Sequence, residues 1–297
     1  MIKKIEYHSP HALYQMHEEL RDKEGPITVF LHGGPGFNNV AEQAIFSSAK
    51  MKSFNMLWFD QLGCRNSPAN TPAEINLENT LNDMGEIFNL FGNRGVNLVG
   101  FCIGTQIAHH FTARFPELVK RIILISPTIN TARIFQRLIK VNIQDGTIHI
   151  DKTTQKDIDI LLNTPTDQYG MAQLIALANI VLQVPQWNNV YWHNKDAMAK
   201  YFQLAGEHGI AADVFFTIQN ELLSKKLPNL ENIYAHKEVL LLQGEQDRIV
   251  EWEVHGKVIQ QAVPHAISKF IQNAGHWAHL ENSEQFLNIL EDFCRAS

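Results

Sequence analysis

Five short runs of almost unbroken apolar residues limit what this chain can fold into. They are Ile27–His32 (ITVFLH), Phe54–Asp60 (FNMLWFD), Val96–Phe101 (VNLVGF), Arg121–Ser126 (RIILIS) and Glu238–Gln243 (EVLLLQ). A strand with one wet face alternates apolar and polar residues. Runs this continuous require cover on both faces, as in a parallel sheet. Residues 2–7 and 12–17 read as two further short strands, and Ile267–Ile271 (ISKFI) as a weaker eighth. Helical patterns lie between them. Leu77, Leu81, Met84, Ile87, Phe88 and Phe91 share one stripe, and so do Phe286, Leu287, Ile289, Leu290 and Phe293. Strands alternating with helices predict an α/β chain: a mostly parallel, doubly wound sheet of eight strands.

The rhythm breaks once. From about residue 129 to residue 236 the patterns are mostly helical, and no strongly apolar strand appears. Val141–Ile150 reads as a small hairpin about Asp145-Gly146. This block is expected to be a helical cap inserted after the sixth strand. Residues 1–128 and 237–297 then form the core, and 297 residues suit one such domain with an insertion.

Composition excludes several functions. The formal charge is -6, without a basic stripe, which argues against nucleic acid and anionic membranes as partners. No apolar run approaches the ~18 residues of a membrane span. The segment MIKKIEYHSP lacks an apolar stretch and a small-residue cleavage site, so a cytoplasmic location is expected. Cys64, Cys102 and Cys294 are too few and too scattered for a disulfide framework. No CxxC pair is present, and neither a metal nor a cofactor is expected.

The chemistry concentrates after the apolar runs. Gly100-Phe101-Cys102-Ile103-Gly104 joins a strand to an apparent helix, Thr105–Phe115. That is the context of the G-x-nucleophile-x-G elbow, with cysteine where serine is usual. The following N–H, from Ile103, is aimed at the same spot. The alternative is a buried core cysteine. After the third strand, His32-Gly33-Gly34-Pro35-Gly36 makes a tight loop able to turn an amide inward, with Gly34 as the expected second donor of an oxyanion hole. Leu242-Gln243-Gly244-Glu245-Gln246-Asp247 leaves the seventh strand, and Asp247 sits where an acid is expected, with Glu245 as competitor. Asn273-Ala274-Gly275-His276-Trp277-Ala278-His279 follows the eighth, with His276 as the expected base and His279 as alternative. The order cysteine, acid, histidine fits a nucleophile whose proton His276 removes while Asp247 fixes the imidazole tautomer.

Together, HGGPG, Asp60-Gln61-Leu62-Gly63-Cys64-Arg65-Asn66-Ser67, the elbow, Gly244–Asp247 and Gly275-His276 resemble the α/β-hydrolases of the proline iminopeptidase group. The resemblance implies an α/β-hydrolase fold, a helical lid, Gly34 and Ile103 as oxyanion donors, and a cis bond before Pro35. Three departures stand out. The group's serine is Cys102, and its arginine after Asp-Gln is Leu62. The acids that hold a substrate's amino terminus in that group find only Glu207 and Glu221 as candidates, and His193 follows Trp192 where an acid is common. The elbow alone is similar to the cysteine-containing box of polyhydroxyalkanoate synthases, and dienelactone hydrolases also use cysteine in this fold.

The expected function is acyl transfer through an S-acyl enzyme, hydrolysing an ester, thioester or amide of a small molecule. Phe101, Trp187, Trp192 and Glu207 are candidate substrate contacts. The alternatives are an acyltransferase or thioesterase acting on a carrier-bound or coenzyme-A-bound acyl chain, an aminopeptidase of the iminopeptidase type, and a non-catalytic ligand-binding protein.

Overall fold

The computed structural model describes residues 2–19, 25–46, 54–184, 186–205 and 210–295. Its sheet contains β1 (Ile2–His8), β2 (Leu13–Glu19), β3 (Ile27–Leu31), β4 (Asn55–Trp58), β5 (Val96–Phe101), β6 (Val119–Ile125), β7 (Glu238–Gly244) and β8 (Ile267–Ile271). The order across the sheet is β1-β2-β4-β3-β5-β6-β7-β8. β2 pairs antiparallel with both β1 and β4, and every other neighbouring pair is parallel. The eight expected strands are therefore present, with ends shifted by one or two residues.

The helices are α1 (Val40–Phe46), α2 (Leu77–Asn89), α3 (Ile103–Arg114), α4 (Thr131–Gln144), α5 (Gln155–Asn163), α6 (Met171–Val181), α7 (Lys195–Ala205), α8 (Ala212–Ser224), α9 (Leu230–Tyr234), α10 (Gly256–Ala262), α11 (Ala278–Glu281) and α12 (Ser283–Arg295). Every residue of β3, β4 and β5 is buried, which is why their sequences lack alternation. β8 is the edge strand on the parallel side of the sheet, with only Ile271 fully buried, and its weaker pattern follows from that place.

Between β6 and β7 the described residues form helices and helical turns, α4 to α9. The hairpin expected at Val141–Ile150 is not formed. α4 runs through that segment to Gln144, burying Ala132, Phe135, Leu138, Ile139 and Asn142 on one face. Asp145-Gly146 stops the helix instead of turning a hairpin. Gly146 takes φ +70°, its N–H donates to Ile143 O at 3.0 Å, and Thr147 N–H donates to Asn142 O at 2.9 Å. This is the glycine-closed end of a helix, satisfying its last carbonyls.

The insertion packs in two ways. Residues of α4, α5 and α6 form an apolar cluster that also takes in Ile249 and Val250 from the loop after β7. Tyr201, Ala205, Val214, Ile218 and Leu222 of α7 and α8 join the main core instead. No described helix is long and apolar enough to cross a membrane.

Candidate active site

The segments singled out in the sequence all leave the carboxyl ends of parallel strands, where open α/β sheets leave their crevice. Cys102 follows β5 directly and caps α3, with φ +52° and ψ -118°. A residue other than glycine holds such a backbone only where its surroundings enforce it. Cys102 N–H donates to Ile125 O at 2.9 Å, and both flanking glycines are required by close packing. A Cβ on Gly100 would stand 2.8 Å from Gly104 O, and one on Gly104 would collide with Leu31 O. Ile103 is the first residue of α3, so its N–H has no intrahelical acceptor.

The glycine loop after β3 runs beside this turn. A Cβ on Gly33 would lie 2.8 Å from the Phe101 ring and 3.2 Å from Cys102 Cβ. Gly34, at φ +38°, lines the same cavity as Gly33, Cys102 and Ile103. The Gly34–Pro35 bond is trans, against the cis bond the resemblance implied. The motif after β4 braces the loop from behind. Gln61 Nε2 donates to His32 O at 3.0 Å, and Gln61 N–H donates to His32 Nε2 at 3.1 Å. Asp60 Oδ1 accepts from Asn39 N–H at 2.8 Å, and Ser67 Oγ donates to Asp60 O at 2.6 Å.

His276 Nδ1 lies 3.0 Å from Asp247 Oδ2, and both side chains are almost fully buried. The other Asp247 oxygen accepts from Ile249 N–H at 2.9 Å and Val250 N–H at 3.0 Å. Burial works against a charged imidazole. The Asp247 carboxylate, hydrogen-bonded to the ring, and the nearby Cys102 sulfur outweigh it and hold the ring's pKa above the ordinary 6.5. Cys102 and His276 line one cavity and His276 pairs with Asp247, while Glu245 is exposed. His279, the alternative base, is a packing residue. It is fully buried behind Phe101, with Nε2 3.4 Å from Glu42 Oε1.

Residues outside the sequence motifs fix the histidine loop. Glu281 Oε1 accepts from Gly275 N–H at 3.0 Å. Its Oε2 accepts from His193 N–H at 2.8 Å and Asn194 N–H at 2.6 Å, in the insertion. Burial pushes the Glu281 carboxyl above its ordinary value of 4.5 despite these donors. His276 N–H donates to Tyr191 O at 2.8 Å, and Ser126 Oγ donates to His276 O at 2.9 Å.

Cys102 and His276 open onto a cavity of about 610 Å³, walled on the insertion side by Phe135, Leu138, Leu177, Trp187, Phe215 and Gln219. Phe101, Trp187 and Trp192 all line it, as do Gly34 and Ile103. Trp192 stacks on Trp277 at 5.2 Å between centroids, and Trp277 packs on Phe101 at 4.7 Å. The lining contains no Asp, Glu, Lys or Arg among the described residues. Glu207 lies outside the described residues. Glu221 does not line the cavity: its Oε2 accepts from Leu77 N–H at 2.8 Å, fastening α8 to the start of α2.

The α/β hydrolase fold family matches residues 26–283. This chain belongs to that family. Among solved structures, this α/β-hydrolase is similar to a proline iminopeptidase-related protein from Thermus thermophilus. The TM-score is 0.72 at 18% identity, covering 100% of this chain and 98% of that one. It is also similar to a 2-hydroxy-6-oxo-6-phenylhexa-2,4-dienoate hydrolase from Rhodococcus, with a TM-score of 0.66 at 17% identity and 100% of both chains covered. Among curated sequences, a putative carbamate hydrolase of Stutzerimonas stutzeri is 23% identical over 93% of this chain and 96% of its own length. A proline iminopeptidase of Lactobacillus acidophilus is 27% identical over 45% of this chain and 47% of its own.

Proposed function

We propose that this α/β-hydrolase cleaves an ester, thioester or amide of a small, neutral, largely apolar substrate through an S-acyl intermediate on Cys102. The observation that carries the reading is the backbone of Cys102. A non-glycine residue at φ +52°, between two glycines that tolerate no side chain, is held at the mouth of a cavity beside a buried His276–Asp247 pair. Hydrolase relatives support the same class.

The geometry supports the following roles. His276 takes the Cys102 proton, and the resulting imidazolium is favoured by Asp247 and by the sulfur. Sulfur attacks the acyl carbon, and the carbonyl oxygen gains charge toward the N–H groups of Ile103 and Gly34. His276 then protonates the leaving group and later draws a proton from the water that frees the acid. Residues 129–236 act as the cap that supplies the acyl wall, including Trp187 and Trp192, over a core of residues 1–128 and 237–297.

Of the two candidate acids for an amino terminus, Glu221 is fastened to Leu77 N–H away from the cavity, which counts against the iminopeptidase reading. Sulfur chemistry points the same way. The tetrahedral adduct of an amide loses thiolate more readily than amine, whereas a thioester exchanges one thiolate for another. The test is steady-state kinetics on acyl-thioester, aryl-ester and prolyl-arylamide substrates, with intact-mass detection of the acyl-enzyme. Thioesters and activated esters are expected to win in kcat/KM, with the acyl mass on Cys102, and Cys102→Ala is expected to be inactive. Turnover retained in Cys102→Ala would remove the mechanism. A prolyl-arylamide preference of about tenfold would return the protein to the aminopeptidases.

A further inference from the structure

We propose that Gln219 is a recognition site for a neutral hydrogen-bonding group, a hydroxyl, carried along the apolar acyl chain of the substrate. The proposal rests on the reading of the cavity as an acyl pocket. α8 turns Ala212, Phe215, Phe216 and Gln219 toward the cavity, positions that share one helical face. Three of the four offer only hydrocarbon. The fourth is a fully buried amide, and neither its Oε1 nor its Nε2 has a hydrogen-bond partner.

That state sets it apart from the other buried glutamines. Gln61 Nε2 reaches His32 O at 3.0 Å, and Gln106 Nε2 reaches Thr131 Oγ1 at 2.6 Å. Gln136 Nε2 bonds Thr164 O at 3.2 Å, and Gln173 Oε1 accepts from Gly170 N–H at 2.9 Å. Gln243 Nε2 donates to Val250 O at 2.6 Å. Among the described buried glutamines, Gln219 alone has both amide atoms unpaired. Native interiors rarely leave a polar group unbonded, because its lost hydration is not repaid. Leucine or methionine would fill this place on α8 without that penalty, so the amide needs a partner from outside the chain.

The surroundings define the partner. α8 packs between α4 and α6, so the amide stands in an apolar part of the insertion. α4 and α6 present Phe135, Leu138, Leu177 and Val181 to the cavity, so a carboxylate or ammonium beside the amide would be buried without a neighbouring counter-charge. A hydroxyl accepts from Nε2 or donates to Oε1 and brings no charge. Sites built to bond such a group discriminate strongly against an analogue that lacks it.

The test uses p-nitrophenyl esters of an eight-carbon acid, plain or with one hydroxyl moved carbon by carbon along the chain. They are turned over by the unaltered protein and by Gln219→Met. At one position the hydroxyl is expected to raise kcat/KM about tenfold or more in the unaltered protein. In Gln219→Met that gain is expected to vanish while the plain ester is still accepted, which also shows that the variant folds. Gln219→Leu replaces it should Gln219→Met not fold. Absence of a gain at every position would overturn the proposal and leave the amide to bound water only. A gain that persists in Gln219→Met would overturn it equally. Failure of the acyl-enzyme reading is distinguishable, because it shows as ester turnover that survives Cys102→Ala or as no ester cleaved at all. In that event calorimetric binding of the matching plain and hydroxylated amides decides: a tenfold, Gln219-dependent difference in Kd at one position supports the site, and its absence overturns it.

Discussion

Asp247 and Glu245 lie two residues apart, and their environments separate them. Asp247 gives one oxygen to His276 at 3.0 Å and the other to two backbone N–H groups, whereas Glu245 is exposed. Asp247→Asn keeps the shape but offers the imidazole an amide that can donate, so the wrong tautomer is favoured. The expected result is a fall in kcat of about 10³–10⁴-fold for Asp247→Asn and little change for Glu245→Gln, with near-native circular dichroism in both. A reversed order would move the acid to Glu245. At this scale the sequence was readable for placement, which follows from a residue's distance from a strand end, as for Cys102, Asp247 and His276. It was silent on Glu281 and Gln219. Glu281 acts by accepting N–H groups from segments about 90 positions away, His193 and Asn194, and backbone donors leave no trace in residue identities. Gln219 differs from any helical glutamine only in what fails to meet it.

At the scale of elements, the turn between β5 and α3 depends on van der Waals limits more than on bonding. Gly104 stands against the backbone of Leu31, at the end of β3, where no rotamer can yield. Gly104→Ala is expected to cost about 2–4 kcal/mol of stability, by pushing the start of α3 off the end of β3. A denaturant midpoint equal to that of the unaltered protein would refute this packing. The strands were legible because burial on both faces removes alternation, a signal strong in β3, β5 and β6 and faint at the half-exposed edge β8. The segment Val141–Ile150 misled for a local reason. Asp-Gly serves equally to turn a hairpin and to close a helix, and only the packing of Leu138, Ile139 and Asn142 selects the second.

At the scale of the whole molecule, the insertion and the sheet are fastened beside the His276 loop and the glycine loop. Glu281 joins Gly275 to His193 and Asn194, Tyr191 O holds His276 N–H, and Ala211 N–H donates to Gly36 O at 2.9 Å in the glycine loop. Glu281→Gln replaces one acceptor oxygen with an NH₂ that faces donors. The expected outcome is a kcat loss of about tenfold, KM little changed, and a stability loss of about 1–3 kcal/mol. Native kcat in that variant would mean that the insertion and the base are positioned independently. The spread of the cysteines has a different consequence. Cys294 meets Asn97 near the start of β5, and Cys102 follows its end, about 16 Å away by strand rise. Cys64 is sealed in the core, and burial pushes its thiol pKa up. A disulfide needs Cα atoms within about 7 Å. Cys294 is too far to resolve a sulfenic acid formed on Cys102, and Cys64 offers no ready thiolate. Oxidation of that sulfur by a peroxide therefore has no return path within the chain: rescue must come from an outside thiol small enough to enter the cavity, or the oxidation proceeds to irreversible acids.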